Sequence, residues 1–272
     1  MSKFLPIVAD KCDATLISVL QLDSLDYATG LRLQQKLVGL RKGGLIADLL
    51  LLLEHTPVIT LGRNANAANV IASAEMLGER GVELFQCDRG GDVTFHGPGQ
   101  LVGYPIFDLR GFGSPDGKRK TLGAVEYVRR LEEVLIRTCA DFRIPAERVA
   151  GLTGVWTGRP EAKIAAIGIH ISCGVTSHGF ALNVNTDLDY FNLIIPCGIT
   201  SKPVTSMAKE LGQQLSLLDV AHSISRNFGT VFQSQMLWLE NLDPLLGHPV
   251  GVPMKPPTEF RKLHGDDDTF WA

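Results

Sequence analysis

The 272-residue chain has no excess of either charge: 26 Lys and Arg stand against 29 Asp and Glu, a formal net charge of -3. Without a basic surplus it lacks the electrostatic footprint of a dedicated nucleic-acid binder. Cysteine is scarce as well. The five present (Cys12, Cys87, Cys139, Cys173 and Cys197) form no Cys-x-x-Cys pair and no close Cys/His pair, which argues against a disulfide framework and against a structural zinc site. No apolar run approaches the roughly 18 residues of a membrane-crossing helix. The longest apolar clusters, 49–53 and 193–196, are the length of core strands. Residues 1–10 carry neither the apolar centre of a secretion signal nor the Arg-rich, acid-poor pattern of an organelle presequence. The expected compartment is reducing: a cytosol, or an organelle matrix where a presequence has been removed.

What the chain does have is 45% apolar residues and a length suited to one large domain or two small ones around a sizeable core. Apolar spacing predicts a helix over 27–41, with Leu31, Leu37 and Leu40 in step. Residues 48–60 read as a buried strand, a turn at Pro57 and a second strand. Short strands punctuated by Gly and Pro over 82–109 predict a meander, and 111–120 an exposed loop. The clearest helix is 122–142, where Leu122, Val125, Val128, Leu131, Leu135, Cys139 and Phe142 make one stripe. A second meander is expected over 155–184, then a helix capped by Ser216, with Asp219 three residues on. The proline-rich end, 251–272, reads as a poorly ordered extension of a single catalytic domain spanning 1–250. Strands clustered apart from helices predict an α/β chain of the α+β kind.

The densest run of special residues is Arg89, Gly90, Gly91, Asp92, Val93, Thr94, Phe95 and His96, continued by Gly97, Pro98, Gly99 and Gln100. Paired glycines let backbone amides approach a ligand without a Cβ between them. No Gly-Lys-Ser/Thr follows, so the loop is not a phosphate-binding P-loop. In the second meander, parity is informative. Ile167, Ile169 and Ile171 share one strand face and Ala166, Gly168 and His170 the other; Phe180, Leu182 and Val184 likewise oppose Gly179, Ala181 and Asn183. Bulky faces predict core. Bare faces leave a slot for a slim, flexible group such as an acyl chain, or for close packing of another element.

Among the cysteines, Cys197 alone is bracketed by proline and glycine, Pro196 and Gly198. It is the candidate nucleophile; the other four read as structural. A nucleophilic thiol needs a neighbouring cation or base, and His96, His170, His178 and Lys163 are the candidates. The ordinary reading of Lys163, beside the turn 158–161, is a solvated charge. His222 reads as a surface position, and His248 and His264 as loop or tail.

The run 89–100 resembles the defining motif of the octanoyl-[acyl-carrier-protein]:protein N-octanoyltransferases, the lipoate–protein ligase B family. Three more blocks follow in family order: 154–156 with 163–168, then 176–183, then 195–198 with 204–206. The resemblance spans about residues 15–235. It implies the biotin/lipoate protein-ligase fold, a class II synthetase-like single domain of mixed sheets flanked by helices. It implies octanoyl transfer from acyl carrier protein to a lysine of lipoyl domains (those of 2-oxoacid dehydrogenase complexes and the glycine cleavage H protein), the first step of protein lipoylation. It assigns Cys197 as nucleophile and Lys163 as its partner. Arg89 to His96, Ala166, Ile167, Gly168, Gly179, Phe180 and Ala181 match the acyl-lining stretches, and His96 is expected at the pocket wall. No metal or cofactor is implied. Both protein partners are expected to be acidic, docking on Arg41, Lys42, Arg129, Arg130 and the cluster Lys118, Arg119 and Lys120. Three rival readings are an ATP-dependent ligase, a non-catalytic acyl-protein binder, and a Cys–His hydrolase pairing Cys197 with His96 or His178.

Overall fold

The computed structural model describes residues 15–113, 117–158, 161–195 and 202–242. Cys12, Cys197, His248, His264 and the expected extension 251–272 lie outside them. In chain order the strands are β1 (Thr15–Leu25), β2 (Asp48–His55), β3 (Val58–Leu61), β4 (Glu83–Gln86), β5 (Val93–His96), β6 (Gln100–Ile106), β7 (Ala146–Val149), β8 (Leu152–Thr157), β9 (Ala162–Ser172), β10 (Val175–Asn183) and β11 (Ser234–Trp238). The helices are α1 (Tyr27–Lys42), α2 (Ala74–Glu79), α3 (Ala124–Asp141), α4 (Met207–Leu211) and α5 (Leu217–Phe232).

Eight strands form a mixed sheet in the order β11-β1-β2-β6-β10-β9-β8-β7, and three form a second sheet, β4-β3-β5. Alternation of side chains divides the large sheet into two core faces. On one, Ile17, Val19, Leu50, Leu52, Phe180, Leu182 and Ile164 pack with the apolar stripes of α3 and α5. On the other, Leu20, Leu49, Leu51, Leu53, Val102 and Tyr104 meet Leu33 and Leu37 of α1. A third cluster fills the far side of the small sheet, where Ile59, Leu61, Val93 and Phe95 pack on Phe191, Leu193 and Ile194.

Local chemistry sets the helix ends. Asp26 accepts from the Thr29 amide at 2.8 Å to open α1, and Arg41 and Lys42 occupy its last turn, the favoured end for cations. Ser216 accepts from the Asp219 amide at 3.2 Å to open α5. Among the described residues no helix is long and apolar enough to cross a membrane.

The expected helices over 27–41 and 122–142 and the expected meander over 155–184 are present, the last as the consecutive run β8-β9-β10. The expected meander over 82–109 is not one. β4 and β5 join β3 in the small sheet, whereas β6 crosses into the large one between β2 and β10. Strand spacing cannot distinguish one sheet from two. Val125 is 74% exposed, off the buried stripe, because Tyr127 takes the core position in that turn. In the expected surface loop 111–120, Phe112 is buried beside Phe107 and Phe232. Strands β1, β7 and β11 carry no expectation from the sequence.

The cysteines divide. Cys139 is buried in the α3 core, and burial pushes its thiol up to about 12. Cys87 is half-buried, its thiol 3.5 Å from the Leu61 carbonyl. Cys173 is not a core residue: it is exposed, with φ 53°, in the turn joining β9 to β10.

Candidate functional site

A slender cavity of about 50 Å³ lies between the two sheets. Its floor is the α1 side of the large sheet: Ala166 and Gly168 of β9, Gly179 and Ala181 of β10, and Val102 and Tyr104 of β6. Gly168 stands opposite Gly179 and Ala166 opposite Ala181 in the antiparallel ladder, so the two bare faces found by parity are one continuous surface. The bulky faces pack the opposite way, with Phe180 against Phe228 and Ile167 beside it. The roof is the loop 89–92 with Thr94 and His96 of β5. Tyr27 also lines the cavity, its ring stacked on that of His96.

The predicted lining residues thus all border the cavity, Ile167 and Phe180 with their side chains packed in the opposite core, with two exceptions. Val93 and Phe95 point away, into the third core cluster. In a strand, alternate side chains face opposite sides, so only Thr94 and His96 of that stretch reach the cavity. Gly90 donates its amide to the Ile169 carbonyl at 2.9 Å. A Cβ on Gly168 would come within 2.7 Å of the Gly90 oxygen. Bareness at Gly168 therefore serves close packing of the loop as well as the cavity. At Gly179 a Cβ would collide with the Gly103 oxygen, next to His178 with φ 55°.

Arg89 is 7% exposed. Its guanidinium donates to Thr60 Oγ1 at 2.9 Å, to the Thr60 carbonyl at 2.8 Å and to the Gly90 carbonyl at 3.1 Å. No carboxylate of the described residues lies within 4.0 Å of it. The roof thus holds a buried cation bonded to neutral oxygens, which biases the cavity toward an anion or a developing oxyanion.

His96 is 7% exposed, stacked 6.1 Å from Tyr27 and edge-on to His55 at 6.0 Å. Burial, with the neighbouring His55 and Arg89, pushes its imidazolium down to about 3. His55 is held down at about 4, chiefly by burial. Its Nδ1–H donates to the Leu25 carbonyl at 2.9 Å, so its Nε2 accepts from the Tyr104 hydroxyl at 2.6 Å. Burial drives the hydroxyls of Tyr27 and Tyr104 far up. His178, also in the lining, donates from Nε2 to Asp88 Oδ1 at 2.7 Å. That bond holds the Asp88 carboxyl down at about 2. His170 lies outside the cavity and contacts the Asp88 carbonyl at 3.2 Å.

Lys163 is not a solvated charge: it is 8% exposed, its Nζ 4.8 Å from the centroid of the Trp156 ring. Lys202 also lies over that ring, at 5.6 Å. A register shift separates the pair Trp156–Lys163 from Val155–Ala165. This bulge inserts Ile164 into the core. Lys163 is thereby turned to the face of Ala166 and Gly168. The segment following Cys197 rejoins β9 at Lys163: Pro203 accepts the Lys163 amide at 2.9 Å, and Thr205 donates to the Lys163 carbonyl at 2.9 Å. On the near side, Ile195 donates to the Asn69 carbonyl at 2.7 Å.

Tyr27, Val102 and Tyr104 carried no expectation. The alternation of β6 is a signal that could have pointed to Val102 and Tyr104; Tyr27 opens a helix and offers none. The basic residues are not equivalent. Arg41 is bound to buried Asp48 at 2.7 Å and Arg129 to buried Glu132 at 2.7 Å, whereas Lys118 and Lys120 are exposed.

Two sheets enclose a slim, glycine-floored cavity, with Lys163 buried on the same face of the large sheet, in a lipoate-ligase fold. The chain belongs to the lipoyl protein ligase A/B catalytic domain family, which matches residues 26–229. It is therefore an enzyme of the acyltransferase class. An octanoyltransferase of Koribacter versatilis is 62% identical over 253 residues, covering 93% of this chain and 98% of that protein. One of Acidobacterium capsulatum is 57% identical, covering 85% and 96%. Among solved structures, a bi-partite lipoate protein ligase of Thermoplasma acidophilum, studied with its E2 lipoyl domain, superposes with a TM-score of 0.64 at 18% identity, covering 84% of this chain and 87% of that one. A lipoate-protein ligase A bound with ATP gives 0.63 at 16%, covering 82% and 87%.

Proposed function

We propose that the protein transfers an octanoyl group from acyl carrier protein to the lysine amine of lipoyl domains and of the glycine cleavage H protein. The group is carried in between as a thioester on Cys197. The observation that carries this reading is the convergence of the 89–92 loop, Ala166 to Gly168 and Gly179 to Ala181 on one slender cavity, on the sheet face to which the bulge turns Lys163.

In the first step the Cys197 thiolate attacks the carbonyl carbon of the donor thioester. The new S–C bond forms as the carrier's thiolate departs. In the second, the acceptor amine attacks the acyl-Cys197 carbonyl, loses a proton, and expels the Cys197 thiolate. Both thioesters are of similar energy, so one difficult encounter becomes two easier ones. The donor is already activated, and the chemistry asks for no nucleotide. A positively charged Lys163 favours the thiolate; neutral, it can take the proton of the incoming amine. The charge of Arg89 suits the oxyanion formed in each step. Acidic partner domains would be steered by the exposed Lys118 and Lys120, and the setting is a reducing compartment.

Intact-mass spectrometry after incubation with octanoyl-carrier protein tests this reading. The wild type should gain one octanoyl group that hydroxylamine removes, and Cys197→Ser should gain no such labile group. Normal transfer by a variant lacking the thiol overturns the thioester route. A requirement for ATP would favour the ligase reading, and free octanoic acid as main product with acceptor present would favour the hydrolase.

A further inference from the structure

His96 ends a chain of buried amides whose direction is fixed at both links by backbone carbonyls. Asn183 Nδ2 donates to the Thr205 carbonyl at 3.0 Å, leaving its Oδ1 to accept from Gln100 Nε2 at 2.9 Å. Gln100 Nε2 also donates to the Phe95 carbonyl at 3.2 Å. A carbonyl cannot donate, so neither amide can be flipped without losing a bond. Gln100 Oε1 is then the atom facing His96 Nδ1, 2.7 Å away, and an amide oxygen only accepts. The proton of a neutral His96 is therefore on Nδ1. Gln100 and Asn183 are 1% and 4% exposed, so water does not compete for these bonds.

The geometry points to Gln100 and Asn183 as positioning residues that lock His96 in its Nδ1–H tautomer, so that Nε2 stands in the cavity as a fixed acceptor for an N–H of the bound substrate. Nε2 has no hydrogen-bond partner among the described residues, and His96 lines the cavity. The groups around the ring reinforce its neutrality: Tyr27 from α1, His55 from β2, Tyr104 from β6, Arg89 from the roof and His178 from β10. None of these is a carboxylate; that of Asp92 in the roof is engaged by the Asn66 amide and Asn69 Nδ2, at 3.0 and 2.5 Å, and Arg89 is a cation. An imidazolium in that company would be desolvated and repelled. The same chain ends on Thr205, whose amide donates to the carbonyl of Lys163, so His96 and the Lys163 strand share one rigid frame. Under the acyl-transfer reading, on which the substrate half of this inference rests, two N–H groups qualify: the amide of the donor's thioester arm and the amine of the acceptor.

Long-range nitrogen–proton NMR of the full chain, labelled at histidine, tests the tautomer independently of activity. The expected spectrum shows His96 neutral and protonated at Nδ1 from pH 8 to pH 5. In Gln100→Glu the added carboxylate should bring its titration into that interval. A wild-type ring protonated at Nε2, or charged at pH 6, overturns the proposal whether or not the variant folds. So does a folded Gln100→Glu whose ring is unchanged. Kinetics then separates the sources of the N–H. The probes are the octanoyl thioester of N-acetylcysteamine and that of 2-acetoxyethanethiol, in which an ester oxygen replaces the amide N–H. If the donor amide is bound, the wild type and His96→Gln, which keeps an acceptor oxygen, should prefer the first thioester about tenfold, and His96→Leu should lose the preference. If the acceptor amine is bound, the preference is absent, and His96→Leu instead raises the acceptor KM about tenfold. Neither change in a folded His96→Leu overturns the role for Nε2. Loss of all octanoyl transfer in the wild type would instead defeat the functional reading, with the spectrum still deciding the tautomer.

Discussion

Lys163 Nζ lies 4.8 Å from the centroid of the Trp156 indole, and the two residues stand opposite each other across β8 and β9. An ammonium over an aromatic face is stabilised by about 1–2 kcal/mol when partly desolvated. In the proposed mechanism, removing the indole weakens the charge that favours the Cys197 thiolate. Trp156→Leu should slow acylation about tenfold, by analogy with that energy. Trp156→Phe should fall between. Single-turnover acylation followed by intact mass checks this, with circular dichroism confirming the fold; equal rates in all three proteins would separate Trp156 from the chemistry.

Contact between the roof and the floor of the cavity is set at Gly168. In Gly168→Ala the new Cβ meets backbone, 2.7 Å from the Gly90 oxygen, and backbone yields poorly. A loss of about 1–3 kcal/mol is expected, together with slower acyl transfer as the 89–91 loop is displaced. Gly39→Ala is the control: it lies on an exposed face of α1 with nothing within 4 Å of the new Cβ. It should gain up to about 1 kcal/mol from helix propensity. Thermal melts of the pair with opposite signs support the reading; matching signs contradict it.

Acid should weaken the fold through its buried histidines. His55 titrates at about 4 when folded against an ordinary 6.5. Between those values the unfolded chain holds a proton that the folded chain does not. Stability is therefore full above pH 6.5, falls as the pH drops, and levels near 4, a loss of about 3 kcal/mol from this residue. His96, at about 3, extends the decline further into acid. Urea midpoints at pH 7, 6, 5 and 4 should fall steadily in the wild type and less steeply in His55→Gln. Parallel profiles would show that His55 is not the cause.

Glu132, on the buried face of α3, accepts from Arg129 at 2.7 Å, from Arg148 at 3.0 Å and from the Gly154 amide at 3.2 Å. Glu132→Ala leaves that amide and the Arg129 guanidinium without their acceptor, whereas Arg148 keeps Glu133 and the Arg129 carbonyl. A cost of about 3 kcal/mol is expected, at the lower end for a buried pair because both arginines reach solvent. Glu132→Gln, which keeps an acceptor oxygen, should lose less. Denaturant unfolding measures both, and a Glu132→Ala chain as stable as the wild type would refute the assignment.

Much of the cavity's lining was legible in the primary structure, for a definite reason. Period-two alternation in β9 and β10 separates Ile167 and Phe180 from Gly168 and Gly179 before any fold is known. The glycine pairing at 90–91 likewise marks a backbone that something approaches closely. The helices α1, α3 and α5 were legible because their apolar stripes and caps are local. Val93 and Phe95 were gathered with their neighbours only because a motif is read as a block, whereas a strand shows its residues alternately.

Order along the chain thus determined which strand faces are bare, which helices have one apolar side, and which family the motifs belong to. Only the tertiary structure decided that β3, β4 and β5 leave the large sheet to roof the cavity. It alone turned Lys163 out of the core, because one extra residue at Ile164 reverses the parity of everything before it. It alone tied His96 to Thr205 through two amides 83 residues apart. Such features depend on pairing between distant strands, and the free energy of that pairing is set by packing across the sheet rather than by any residue's own preference.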